Sequence, residues 1–398
     1  MKGSIKMLKK KKNLKIAIYA ICKNELQFVD KWFMSMLEAD YICVLDTGST
    51  DGTYEALLKW QERFPEKIII SQKTYDFWRF DTPRNDSLSL VPEDTDIYWC
   101  TDLDELLEPG WSVDLKNNWK ENQTRGLYLY AWSHTDNGEP GRVFWYDKIH
   151  TKDYTWLYPV HETLFYTGEQ KEVISQISSR ILLHHYPDLS KNRSNYLDLL
   201  ELRMQENPED YYGMIYLSHE YLLQKQYKNC INYILKTSLP KVRECPDALF
   251  MPDLYLFLGD AYKMEKEYLF AEQSYRLGIA AFPAFRENYL SLAVLLMEQN
   301  RVWEARDLMD EMFKKTQRFY SWLERDLSWS WLPYDIMAWI YLSLGNKHLA
   351  ADYAFLAYSL NPIDVLKNKY ENIRKELDQN ANCDLIPLSE LKEQNKVQ

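Results

Sequence analysis

Ile97-Tyr98-Trp99-Cys100-Thr101-Asp102-Leu103-Asp104-Glu105 is the stretch that decides how this chain is read. Ile97–Thr101 has the composition of a buried strand, and the strand stops on an acidic triplet. In extended backbone, residues two apart point to the same side, so Asp102 and Asp104 face together. Two carboxylates at a strand end make a hard oxygen site. Such a site suits magnesium or manganese, which bind through one or two carboxylates plus substrate phosphates. The ion would neutralise a diphosphate leaving group as a Lewis acid. Acid pairs are common on surface loops, so placement along the chain must give this one its weight.

Working outward, Lys15–Cys22 predicts a first strand, and Gln27–Glu38 carries Phe28, Trp32 and Met36 at helical spacing. Tyr41–Leu45 predicts a second strand ending at Asp46. Ser49 or Thr50 is the expected cap of a helix running through Phe64, with Asp51 in its first turn. Lys67–Ile70 is the third strand and Ile97–Thr101 the fourth. Strand–helix–strand alternation predicts a mostly parallel sheet with ligands at the carboxyl ends of its strands. Asp46 and Asp102 both fall just past such ends, which points to a nucleotide site. Over 125–187, Gly126–Trp132, Arg142–Ile149, Trp156–Phe165 and Ile177–His185 are aromatic and β-branched. They predict an antiparallel extension, with Asp136-Asn137-Gly138 as one turn.

From about 192 the chain is helical with an internal period. Pro252–Pro283 carries Leu258-Gly259, Tyr262, Ala271, Tyr275 and a closing Pro283, the offsets of a tetratricopeptide unit. The following register places Ala293 and Ala305 at the small positions. A further copy starts near Trp331, with Ala338, Tyr341, Ala350, Ala354, Ala357 and Pro362. A weaker one starts near Tyr211, with Ser218, Tyr221 and Cys230. Small residues recur because the two helices of each unit pack closely there, and stacked units share one core.

Composition sets limits. A net charge of -11 lowers the expectation of nucleic-acid binding, which draws most of its affinity from phosphate neutralisation. The Tyr and Trp content fits an aromatic core, and some rings could stack on sugar or base. Cys22, Cys43, Cys100, Cys230, Cys245 and Cys383 show no metal-binding spacing, which suggests reduced thiols and a cytoplasmic location. Lys9–Lys12 before Ile16–Cys22 faintly imitates a signal peptide, but Lys23-Asn24-Glu25 ends the apolar run as a strand end would. No run is long enough to span a membrane.

Four places in order carry a resemblance. They are Cys22-Lys23-Asn24-Glu25, Leu45-Asp46-Thr47-Gly48-Ser49-Thr50-Asp51, Arg84-Asn85 and Thr101-Asp102-Leu103-Asp104-Glu105, with Val160-His161-Glu162 as a further match. Residues from Lys15 to about Asp188 resemble the family-2 inverting glycosyltransferases of the A-type glycosyltransferase fold. With its tetratricopeptide-like tail, the chain is similar to a bacterial and phage subgroup that includes enzymes glycosylating bacteriocin peptides. The resemblance implies a Rossmann-like catalytic domain over 1–190; the repeat period gives an all-α tetratricopeptide-like domain over 191–378, and composition a polar tail over 379–398. It implies a nucleotide-diphosphate sugar as donor, UDP being the family's commonest carrier, and manganese or magnesium as cofactor.

Carried over by residue, Asn24, Glu25 and Asp46 would line the nucleotide, and Arg84 would lie against base and diphosphate. Asp102 would reach the ribose or metal-bound water, and Asp104 would ligate the metal. One of His184 and His185, with His185 preferred, would complete the metal shell or clamp the diphosphate; a turn between domains is the plainer reading of that pair. Leu103 departs from the Ala common in the subgroup, which bears on the sugar pocket. Inversion needs a general base opposite the diphosphate, and Glu162 and His161 are the candidates. His134 and His150 are expected to be surface or structural residues. The acceptor would be a peptide, protein or glycan, and the repeats could bind it, buttress the catalytic half or pair two copies. The alternative is a non-catalytic repeat scaffold with a degenerate transferase domain. Asp46-Thr47-Gly48 also imitates an aspartic-protease turn, but no second such turn exists to share a proton. A metal-dependent nucleotidyltransferase is a further reading, without a Gly-rich phosphate loop to support it.

Overall fold

The computed structural model describes residues 14–134, 138–188, 196–244, 251–318 and 325–381. Lys9–Lys12, the turn residues Asp136 and Asn137, Cys245, Cys383 and most of the polar tail lie outside these. The chain divides into two compact units, the first ending at Glu206 and the second beginning at Asn207.

Unit 1 runs β1 (Ile16–Cys22), α1 (Leu26–Met36), β2 (Tyr41–Asp46), α2 (Thr53–Arg63), β3 (Ile68–Gln72), α3 (Asp81–Leu88) and β4 (Ile97–Cys100). It continues with β5 (Glu105–Leu107), α4 (Trp111–Asn118), β6 (Arg125–Ala131), β7 (Val143–His150), β8 (Tyr154–Leu157), β9 (Thr163–Tyr166), β10 (Ile174–Gln176), β11 (Leu182–His185) and α5 (Tyr196–Glu206). The main sheet has the order β3-β2-β1-β4-β7-β6-β11-β5, with β10 also on β6. Strands β3, β2, β1 and β4 are parallel. The first strand is apolar throughout because both faces are covered. Ile16, Ile18 and Ala20 pack with Trp32 and Phe33 of α1 and Leu57 and Trp60 of α2. Ala17 and Tyr19 face the other way, toward Tyr98, Cys100, Tyr154 and Trp156.

Three local expectations are corrected. The extension is mixed rather than antiparallel. β7 runs antiparallel to β4 and β6, but β10 and β11 run parallel to β6. Trp156–Phe165 is not one strand. β8 and β9 form a separate hairpin, broken where Tyr158 and His161 take φ of 82° and 49°, which a pleated strand cannot accommodate. Helix α2 starts at Thr53 rather than after Ser49 or Thr50, because Gly52 takes the left-handed conformation at φ 95°. Ser49 instead accepts the Asn24 amide, and Asp51 accepts the Thr53 amide.

Unit 2 is all helical: α6 (Tyr211–Leu223), α7 (Tyr227–Tyr233) running through a π-helical turn, Ile234–Ser238, into α8 (Leu239–Val242), α9 (Met251–Met264), α10 (Tyr268–Ala281), α11 (Arg286–Glu298), α12 (Val302–Lys315), α13 (Leu332–Ser343), α14 (Lys347–Leu360) and α15 (Asp364–Ala381). Helices pack as the pairs α6/α7, α9/α10, α11/α12 and α13/α14, as the internal period predicts. Ala271, Ala293, Ala305, Ala338, Ala350, Ala354 and Ala357 are all buried at the crossings. At Gly259 an added Cβ would lie 2.4 Å from the Tyr275 ring, so that helix pair closes only on glycine. The sheet unit reaches beyond 190 because α5 goes with it. Arg203 of α5, 1% exposed, donates to the carbonyls of Val160 and His161. Among the described residues no helix is long and apolar enough to cross a membrane. Cys22, Cys43, Cys100 and Cys230 are buried.

Candidate functional site

The parallel register sets the ends of β1, β2 and β4 side by side: Cys22 pairs with Asp46, and Tyr19 with Cys100. Each strand then releases its chain into a loop, and the candidate residues lie on those loops. The Trp32 indole donates to Thr101 at 3.2 Å, pinning α1 against the acidic segment.

Asp46 is fully buried, and its Oδ1 accepts from the Gly48 and Ser49 amides and the Gln72 side chain at 2.9–3.0 Å. Burial pushes this carboxyl up, but the hydrogen bonds from Ser49, Gln72 and Gly48 outweigh it and the net shift is downward. Asp46 therefore shapes the loop that follows it. Asn24, at φ 55°, donates its amide to Ser49 and accepts the Thr50 amide on Oδ1, while the Glu25 amide donates to Thr53. The two loops are stitched together by the residues that the sequence reading gives to the nucleotide.

Arg84 gathers three of the expected site residues. Its side chain, 5% exposed, places Nη2 2.6 Å from Asp102 Oδ1 and donates from Nε to Glu162 Oε1 at 3.0 Å. Nη1 donates to the Cys100 thiol. Lys148 on β7 holds the other Asp102 oxygen at 3.2 Å. Burial pushes the Asp102 carboxyl up, but Arg84 and Lys148 outweigh it and hold the group well below the usual carboxylate range. Sequence reasoning missed Lys148. Its signal is a cation in period two with Phe144, Tyr146 and His150, deep in a largely aromatic face. Glu105, 1% exposed, accepts the Asp102 amide and the Tyr130 hydroxyl at 2.9 Å each, and burial raises its carboxyl.

Asp104 and His185 form a separate pair. β11 lies antiparallel to β5, opposing His185 to Glu105, and the Tyr186 amide donates to the Asp104 carbonyl. Asp104 Oδ2 and His185 Nε2 lie 3.5 Å apart. Two ligands bound to one ion at ~2.1 Å each sit about 3–3.5 Å apart, so the pair fits a shared metal. His185 Nδ1 bonds the Trp132 carbonyl at 3.3 Å, which leaves Nε2 turned toward Asp104. Burial pushes the His185 ring down, but Asp104 outweighs it and the net shift is upward. The Trp132 ring, 42% exposed, tilts against His185. Asp102 fits a metal less well, since both its oxygens already face cations. Among the described residues no cluster of three or more His, Cys, Asp or Glu is arranged to hold an ion.

His161 and Glu162 part company. Glu162 turns inward to Arg84, whereas His161 is exposed, with its ring edge-on to Tyr196. His184 turns to Glu108 at 3.1 Å and to His134 at 3.0 Å, away from its neighbour His185.

His150 is structural. It is fully buried, with Nδ1 against the Thr151 carbonyl at 2.6 Å and Nε2 against the Tyr19 hydroxyl at 2.7 Å; Tyr19 in turn accepts from the Trp156 indole at 2.9 Å. Nδ1 must carry the proton and Nε2 must accept. Burial pushes the imidazole down to about 3. The unfolded chain takes up a proton near pH 6.5 that the folded chain refuses, so stability present above pH 6.5 is lost as pH falls toward 3. Urea unfolding between pH 7 and pH 4.5 should lose about 1.4 kcal/mol per pH unit from this group once below pH ~6. His150→Gln, which keeps an acceptor for Tyr19, should flatten that slope by one proton; an unchanged slope refutes the assignment.

No family model matches the chain, and no curated protein matches it. Among solved structures it is similar to a thermophilic TPR protein of Thermus thermophilus, at 16% identity and a TM-score of 0.34, covering 45% of this chain and 89% of that one. A tetratricopeptide repeat protein from Parabacteroides merdae gives 17% identity and a TM-score of 0.34, covering 46% of this chain and 64% of that one. The MamA protein gives 14% identity and a TM-score of 0.33, covering 42% of this chain and 82% of that one. The repeat character of unit 2 rests on its own helix pairs and their small-residue spacing.

Proposed function

We propose that unit 1 is a metal-dependent inverting glycosyltransferase using a nucleotide-diphosphate sugar, with UDP as the first carrier to test. The observation that carries this reading is the Asp104–His185 pair, set beside two buried cations at the carboxyl ends of a sheet in the order 3-2-1-4. That order matches the first four strands of a Rossmann-type order, in which ligands bind outside the carboxyl ends of the strands. Asp104 and His185 hold the ion, and the mixed carboxylate–imidazole pair favours manganese over magnesium. Bound there, the ion would supply charge neutralisation for the departing diphosphate.

Asp102 holds Arg84 and Lys148 in place, and these direct positive charge toward an anionic donor. Arg84 also fixes one oxygen of Glu162. Its other oxygen would take the acceptor's proton, and Glu162 is preferred to the outward-turned His161 as general base. The acceptor is a peptide, protein or glycan. A repeat scaffold with an inactive sheet unit is the second reading. What favours it is that Asp46 and Asp102 already satisfy their carboxylates within the fold.

A panel of UDP-, GDP- and TDP-sugars, incubated with manganese and no acceptor, should show slow hydrolysis of one donor that stops on chelation. No binding and no turnover across the panel would leave the scaffold reading in its place.

A further inference from the structure

One face of the sheet unit carries a run of aromatic rings. β6 turns Tyr128 and Tyr130 to it, and β7 sets Tyr146 and Phe144 opposite them. Trp132, just past the end of β6, continues the same alternation. Between ring centroids, Tyr130 lies 5.5 Å from Phe144, 5.0 Å from Tyr146 and 6.2 Å from Trp132. Burial falls away along this face. Tyr128 and Tyr130 are 0% and 3% exposed, whereas Trp132 is 42% exposed, and Phe144 and Tyr146 are half-buried.

A single uncovered ring on a protein surface needs no explanation. What distinguishes Trp132 is its neighbours. Its ring tilts against His185 at 4.9 Å, and its carbonyl meets His185 Nδ1. The backbone of Trp132 thus orients the candidate metal ligand while its ring lies alongside. At the other end of the run, Lys148 sits 5.3 Å over the Tyr146 ring. Burial raises the Tyr146 hydroxyl, Lys148 opposes the rise and Glu162 adds to it, so Glu162 is within electrostatic reach. Trp132, Tyr130 and Tyr146 therefore lead from the Asp104–His185 pair toward Glu162.

In an inverting displacement the anomeric carbon lies between the departing diphosphate and the incoming nucleophile. The acceptor's proton goes to the base, the new bond forms at the anomeric carbon, and the diphosphate leaves with the electron pair of the broken C–O bond. With the diphosphate at Asp104 and His185 and the base at Glu162, the transferred ring lies over the surface that joins them. That surface is aromatic. A neutral pyranose presents an apolar face of C–H groups, which packs against the electron-rich face of an aromatic ring.

We infer that Trp132, with Phe144 and Tyr146, is the platform for the transferred sugar, and that this sugar is a neutral pyranose. The inference rests on the transferase reading for its place in the reaction, while sugar binding by the platform stands apart from it.

Saturation-transfer NMR on the full chain, with methyl β-glucoside and neither nucleotide nor metal, tests the platform. Saturation of the protein should pass to the axial C–H protons of one sugar face more strongly than to the methyl group. Trp132→Ala should abolish the transfer, and Trp132→Phe should keep most of it. No transfer from the intact chain, or equal transfer from Trp132→Ala, overturns the inference. Should Trp132→Ala fail to fold, Trp132→Thr, which suits strand backbone, takes its place. A second arm uses the nucleotide-sugar that the donor panel selects. Trp132→Ala should weaken its binding about fivefold and leave binding of the bare nucleoside diphosphate unchanged. An equal loss for both, or for neither, overturns the platform and leaves the transferase reading standing. Saturation transfer with no donor bound across the panel would keep the sugar site and overturn its place in the reaction, together with the transferase reading.

Discussion

Asp104→Ala is expected to reduce manganese-dependent donor turnover by about three orders of magnitude while leaving thermal unfolding nearly unchanged. The size follows from the metal. A Lewis acid contributes several kcal/mol to stabilising the departing diphosphate, and each 1.36 kcal/mol is tenfold in rate. Removing one of two protein ligands should lose most of that. The fold should not notice, because Asp104 meets its neighbours through its backbone, whose carbonyl accepts the Tyr186 amide, and through one long 3.5 Å approach to His185. Alanine keeps the first and loses only the second. Manganese titration should show the loss as weakened metal binding, and His185→Ala should behave alike. A collapse of the melting transition would mean that the acid is structural; unchanged turnover would remove it from the site.

Arg84→Ala should behave in the opposite way, with a large loss of stability as well as of activity. Arg84 is the shared partner of Asp102 and Glu162, at 2.6 and 3.0 Å, and its side chain is only 5% exposed. Its removal strands Glu162, whose side chain is 13% exposed, and takes one of two cations from the one-third exposed Asp102; breaking a buried pair costs about 3–5 kcal/mol. Lys148 still holds Asp102 at 3.2 Å, which keeps the expected cost near the lower end. Chemical denaturation of the full chain should show the loss in the transition that reports on unit 1. The double change Arg84→Met, Glu162→Gln should recover most of it, because Lys148 still pairs with Asp102 and no stranded charge is left. If the single change costs less than about 1 kcal/mol, the buried network is not what holds these residues.

Much of this was legible in the chain. The apolar run of β1 announces a strand covered on both faces, and the small residues around Gly259 and Ala271 announce close helix pairs. Both are local patterns written in period 2 or period 3.6. Asp46 and Asp102 could be placed at strand ends for the same reason. The neighbours His161 and Glu162 were harder. They are adjacent in sequence, yet the left-handed backbone at His161 turns one outward and leaves the other on Arg84. No pattern in Val160-His161-Glu162 predicts that break.

By itself the sequence determined the element types, the repeat period and the acids at the strand ends, since these follow from backbone geometry and hydrophobic spacing. Only the tertiary structure decided how those acids are used. Asp102 and Asp104 share a strand-end segment, yet one meets Arg84 and Lys148 while the other meets His185. The difference comes from α3, β7 and β11, which bring Arg84 from 18 residues before Asp102, and Lys148 and His185 from 46 and 81 residues after the acids they meet. Groups so far apart in sequence are brought within bonding distance by the packing of α3 and by sheet order, and a mixed order such as β4-β7-β6-β11 cannot be read from any one strand.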